Sequence, residues 1–244
     1  MNWIAAATTL VILAATGCSS TGGEDVITVS AASSLTDAFT EIGTDFENQN
    51  PGAHVRFNFG SSTTLAAQIN AGAPVDVFAS ASRSAMDRTA EEGATDEADP
   101  FAENSLTIVV PRGNPANVRS LADLQRKEVT VVHCIATAPC GQATQQLLAK
   151  HGLEVTASSL EPDVRSVLAK ITADEADAGI VYRTDAAAEN TLIEEVAIPD
   201  ADTVTNTYFI ASTSEAPSAA AQFIDFVSEE EGVRILTRWG FGRP

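Results

Sequence analysis

Four short stretches hold residue types suited to gripping an anion. They are Ser33-Ser34 ahead of Leu35, Gly60-Ser61-Ser62-Thr63-Thr64-Leu65, Ala138-Pro139-Cys140-Gly141-Gln142 and Glu161-Pro162-Asp163-Val164-Arg165. Each follows a β-rich run and opens a helical pattern. The first amides of a helix lack an intrahelical acceptor, and the aligned peptide dipoles place about half a positive charge there. Oxyanions bind at such ends. One junction says little, because every α/β protein has several; two hydroxyl-doubled junctions in the first two strand–helix units are more specific. A helix needs one N-cap, which Ser34 would supply, so the extra small residues leave room for a ligand. Catalysis fits less well. No Gly-x-Ser-x-Gly elbow is present, and His54, His133 and His151 neighbour none of the serine motifs, so a serine hydrolase would lack its base.

The elements that must position these junctions alternate along the chain. Val26–Ser30, His54–Phe59, Val75–Ala79, Ser105–Val110, Val129–Val132, Gly179–Tyr182 and Thr207–Ala211 read as strands. Helical spacing joins Leu35, Ala38, Phe39, Ile42 and Phe46, then Leu65, Ala66 and Ile69, then Met86–Glu92, Gln142–Lys150 and Val164–Ile171. A long C-terminal helix is expected through Phe223, Ile224, Val227, Ile235 and Leu236. Such alternation predicts an α/β fold with mainly parallel strands, in which ligands sit beyond the carboxyl ends of strands. Pro111-Arg112-Gly113-Asn114-Pro115 is expected to cross between lobes.

With 244 residues, 44% of them apolar, the chain can build a sizeable core. A formal net charge of −19 excludes nucleic acid as a partner. Trp3–Gly17 is an apolar and small-residue run ending at Gly17-Cys18, which resembles a bacterial lipoprotein signal; a plain secretory signal is the alternative. Either places the mature protein outside the cytoplasm. Residues 1–17 are then the signal, and 18–25 a tether anchored to the outer face of the cell membrane by lipid on Cys18. That leaves Cys134 and Cys140, five residues between them, as a candidate disulfide. Zinc bound with His133 is the rival, and thiol redox chemistry a weaker one because the spacing is not Cys-x-x-Cys.

Ala31-Ala-Ser-Ser-Leu-Thr-Asp37, Gly60 through Gly72-Ala-Pro-Val-Asp-Val-Phe78, Asp163-Val-Arg165 and Gly179-Ile-Val-Tyr182 resemble the molybdate-binding protein of bacterial ABC transporters, in order and from about Val26 to the C-terminus. The resemblance implies a two-lobed periplasmic-binding-protein fold of type II, with the ligand cleft between lobes. Residues 26–108 and 208–244 would form the first lobe and 109–207 the second. It also implies an oxyanion site at Ser34, Ser62, Cys140, Val164 and Tyr182, serving molybdate or tungstate. Molybdenum or tungsten would enter only as that oxyanion, with no cofactor and no catalytic residue. The implied partner is an ABC permease, and the implied state a monomer. A thiolate at Cys140 would repel a dianion, so a neutral disulfide to Cys134 suits the position. Asp163 and Arg165 are expected to brace a helix start rather than touch the ligand. Sulfate or another small oxyanion on the same fold is the alternative ligand.

Overall fold

The computed structural model describes residues 25–244. The signal, Cys18 and the expected tether as far as residue 24 lie outside the described residues, and Asp25 already belongs to β1. The first unit runs β1 (Asp25–Ala32), a 3-10 turn at Ser33–Leu35, α1 (Thr36–Gln49), β2 (Ala53–Gly60), α2 (Ser62–Asn70), β3 (Val77–Ser80) and α3 (Arg83–Glu91). The long β4 (Asp99–Pro111) leads to β5 (Val131–Cys134), α4 (Pro139–Lys150), β6 (Ser159–Glu161), α5 (Val164–Thr172), β7 (Ala178–Tyr182), α6 (Arg183–Ala188) and β8 (Ile193–Val196). The chain returns through β9 (Thr205–Ser212) and ends in α7 (Ser218–Ser228) and α8 (Glu230–Arg238).

One sheet runs in the order β2-β1-β3-β9-β4-β7-β5-β6, with β8 also paired to β4. β1 pairs in parallel with β2 and β3, and β5 in parallel with β6 and β7. The middle departs from the mainly parallel sheet expected. β9 is antiparallel to β3 and β4, and β4 is antiparallel to β7 and β8. β4 serves both halves: Asp99–Ser105 pair with β9, whereas Leu106–Val109 pair with β7.

Two large cores lie along this sheet, with a third, smaller cluster of Leu65, Ile69, Phe78, Met86 and Phe209 packed by α2 and α3, giving the two-lobed α/β architecture. One packs Ile27, Val29, Phe39, Ile42 and Phe46 against Phe101, Tyr208, Phe223 and Val227. Phe223 meets Phe46 edge-on at 5.4 Å and Phe39 at 6.2 Å, a geometry worth about 0.5–1.5 kcal/mol per pair beyond burial. The other packs Leu106, Ile108, Val131, Leu147, Val167 and Ile180. The change of core therefore falls inside β4, between Ala102 and Leu106, and the Pro111–Pro115 turn lies at that strand's far end.

The expected single C-terminal helix is two helices broken at Glu229. Gly232 makes the break possible, since a Cβ there would come within 2.3 Å of the Phe226 carbonyl. α6 and β8 carry too few residues to show a period and were not expected, and β6 was expected only as the strand end ahead of the fourth junction. Among the described residues, no helix is long and apolar enough to cross a membrane.

Candidate functional site

The four junctions meet. Ala32, Ser33, Ser34, Gly60, Ser61, Ser62, Ala81, Pro139, Cys140, Asp163, Val164 and Tyr182 line one small cavity between the two cores. All five residues carried over as oxyanion contacts, Ser34, Ser62, Cys140, Val164 and Tyr182, therefore share one wall system, and all are buried. None of the three histidines lines it, and neither does any Lys or Arg.

The local folding explains the convergence. Ser62 and Val164 are the first residues of α2 and α5, and Cys140 is the second of α4. Their amides precede the first intrahelical acceptor, so three helix N-termini aim free N–H groups and positive dipole ends at one space. Pro139 starts α4 without wasting a donor. Gly141 is required by a close approach: a Cβ would sit 1.9 Å from the Ile135 carbonyl oxygen. The Cys134–Cys140 disulfide is present and spans the same loop. It removes both thiols from metal binding; among the described residues no cluster of three His, Cys, Asp or Glu is placed to hold a metal ion.

Ser34 does not play the part of helix cap expected of it. It sits inside the 3-10 turn, no side chain caps α1, and its hydroxyl lies 2.7 Å from Tyr208 Oη. Ser62 Oγ accepts the Ala81 N–H at 2.9 Å, and Tyr182 Oη accepts Asn206 Nδ2 at 2.6 Å. Burial pushes the Tyr182 and Tyr208 phenols well above the ordinary tyrosine range, so both keep their hydrogens. Tyr208, Asn206 and Asn104 were missed in the sequence. Asn206 and Tyr208 stand two apart on β9 and so share a face, a polar pair on a mostly buried strand that was open to notice.

Asp163, the one acidic residue of the lining, caps α5 by accepting the Ser166 N–H at 3.0 Å. Arg165 reaches further than a helix brace. Its Nη1 lies 2.8 Å from Asp37 Oδ2 on α1, across the two cores. Thr63 Oγ1 makes a second crossing bond to the Thr137 carbonyl at 2.7 Å. Behind Tyr182, the buried Asp185 accepts the Tyr182 N–H at 3.3 Å, while its Oδ1 has no hydrogen-bond partner and stands 4.0 Å from Arg165. Burial raises the Asp185 carboxyl to about 7, against the partial opposing pull of Arg165.

A cavity between two lobes that is rich in N–H and O–H donors and lined by no Lys or Arg fits the capture of a small solute. Residues 27–242 match the family model described as bacterial extracellular solute-binding protein. The chain belongs to that family. Its members bind and deliver rather than turn over, and they act outside the cytoplasm. A Mycobacterium tuberculosis relative named molybdate-binding protein ModA is 41% identical over 227 residues, covering 92% of this chain and 87% of the relative. A solved substrate-binding domain of a putative molybdenum ABC transporter from Clostridium difficile superposes with a TM-score of 0.68 at 26% identity, over 90% of this chain and 99% of that one. The sulfate-binding protein SubI from Mycobacterium tuberculosis shares the fold, with a TM-score of 0.79 at 18% identity over 90% and 87% of the two chains.

Proposed function

We propose that this solute-binding protein captures molybdate or tungstate through neutral donors and delivers it to an ABC permease. The observation that carries the oxyanion reading is the meeting of three helix N-termini and five hydroxyl residues in a cavity lined by no Lys or Arg. The choice of a metal oxyanion is supported by the 41% identical relative and its name. The formal charge of −19 does not oppose capture, because bulk repulsion is screened beyond about 8 Å while helix ends act at contact distance.

Ser34 and Ser62 would hold the anion from the first lobe, and Cys140, Val164 and Tyr182 from the second. The lobes would divide within β4 and again near the start of β9. A ligand bridging both sides favours closure, and the Arg165–Asp37 and Thr63–Thr137 contacts add to the closed form. Molybdate and tungstate accept hydrogen bonds and carry no proton. Hydrogen phosphate keeps a proton that N–H and O–H donors do not take up, and the one lining carboxylate, Asp163, is engaged by the Ser166 N–H, so a buried group is left unsatisfied at about 1–3 kcal/mol. Sulfate is excluded by size alone on this reading.

Lipid on Cys18 would anchor the protein to the outer face of the membrane, and the monomer is its working state. Fatty-acid labelling that survives in wild type and disappears in Cys18→Ala tests the anchor. For the ligand, thermal melting with each anion is the direct assay: molybdate and tungstate should raise Tm and phosphate should not. An equal rise with phosphate, or none with any anion, sinks the reading.

A further inference from the structure

Of the five hydroxyl residues that line the cavity, Ser34, Ser62 and Tyr182 each meet a partner behind them, and the chemistry of the partners fixes the direction of those bonds. The Ala81 amide can only donate, so Ser62 Oγ accepts at 2.9 Å. Asn206 Nδ2 also lies 2.8 Å from the Ala81 carbonyl, which can only accept, so the NH2 side of that amide faces Tyr182. Asn104 Oδ1 takes the Ser105 N–H at 3.0 Å, which turns its Nδ2 toward Thr184 Oγ1 at 2.8 Å and Tyr208 Oη at 3.4 Å. Tyr208 Oη is thus supplied with a hydrogen by Asn104 and gives its own to Ser34 Oγ. A phenol has one hydrogen. With its inner side taken by the Asn206 donor, the Tyr182 hydrogen lies on the cavity side.

We infer that Asn206, and Tyr208 with Asn104 behind it, are positioning residues that turn the hydroxyl hydrogens of Tyr182 and Ser34 toward the ligand and so make the cavity reject anions that carry a proton. This rests on the oxyanion reading above and deepens it. The selectivity then resides on β9 and β4 behind the contact residues, and not only in the residues that touch the anion. Burial raises the pKa of both phenols, in agreement with hydrogens retained at both tyrosines. Without these partners a hydroxyl can rotate and offer a lone pair to the proton of hydrogen phosphate. Each mismatched contact relieved in this way is worth roughly five- to hundredfold in relative affinity.

The test titrates wild type, Asn206→Leu and Tyr208→Phe with molybdate, tungstate and phosphate at mildly alkaline pH, where phosphate is chiefly the singly protonated dianion. In each variant the ratio of phosphate Kd to molybdate Kd should fall by about tenfold. Tungstate, which carries no proton, should track molybdate throughout. A merely structural role weakens all three anions in parallel and keeps the wild-type ratio; that result overturns the inference. If Tyr208→Phe does not fold, the Asn206→Leu ratio decides alone. A wild type that binds no molybdate sinks the oxyanion reading itself. A wild type that discriminates, with variants that discriminate equally, sinks only the positioning role.

Discussion

Replacing Cys134 and Cys140 together by alanine releases the loop that carries the Cys140 amide. The two cysteines are six positions apart, so the bond closes a ring of about seven residues. In the chain-entropy picture such a ring restricts the unfolded chain by roughly 2.3 kcal/mol at room temperature. Both sulfurs are buried, so lost packing adds to that figure. For a chain of this size each kcal/mol moves Tm by about 2–4 °C, which gives a fall of about 5–9 °C or somewhat more. The loop keeps other ties: Ile135 N–H donates to the Glu161 carbonyl at 2.8 Å and Ala138 N–H to the Ile135 carbonyl at 3.0 Å. Molybdate affinity should therefore fall by no more than about tenfold. Calorimetric melting and titration of the double variant check both numbers. A Tm within about 1 °C of wild type would refute the reasoning, because the bond would then be absent or the loop already rigid in the unfolded chain.

Asp185→Asn should change how stability depends on pH. A carboxyl held at about 7 instead of the ordinary 3.8 binds more protons folded than unfolded. Its contribution is full below about pH 4 and lost as pH rises through about 7, a ceiling of roughly 4 kcal/mol. Urea unfolding should find the Asn variant more stable than wild type at about pH 8 but not at about pH 4; parallel curves would count against a raised carboxyl. Asp37→Asn removes the partly exposed tie to Arg165 and should weaken ligand binding by about two- to fivefold, mainly through faster release and less so at high salt. Stopped-flow release rates unchanged by the substitution would exclude a role for that tie in closure. Gly141→Ala should cost about 1–3 kcal/mol and weaken binding, since its methyl group would displace the Ile135 carbonyl. A variant as stable as wild type in urea would mean that the loop yields freely.

The four junctions that line the cavity were legible because they are local. Small and hydroxyl residues at Ser33-Ser34 and Ser61-Ser62 stand just where strand period gives way to helix period, and no distant contact is needed to see them. The alternation of His54–Phe59 likewise appears directly as exposed and half-buried faces on β2. The centre of the sheet was not legible. β4 is buried along most of its length, and a continuous apolar run does not say whether its neighbours are parallel or antiparallel. Nor does it say that one strand serves two cores. The partners of the site hydroxyls were hidden for a related reason. Tyr208 reaches Ser34 across 174 positions of chain, and Asn206 reaches Tyr182 only because β9 returns beside β4. Arg165 could be placed at a helix start from sequence, but its bond to Asp37 depends on how the two cores face each other. The raised Asp185 carboxyl is likewise a product of packing, with no local motif to announce it.

Calorimetric titration of the delipidated protein with molybdate, tungstate, sulfate and phosphate in turn bears most directly on the proposed function. Molybdate and tungstate should each bind at one site per chain, at least about a hundredfold more tightly than sulfate, and phosphate should bind more weakly still. Sulfate binding as tight as molybdate, or phosphate binding at all comparable, would contradict capture of the larger dianions through neutral donors.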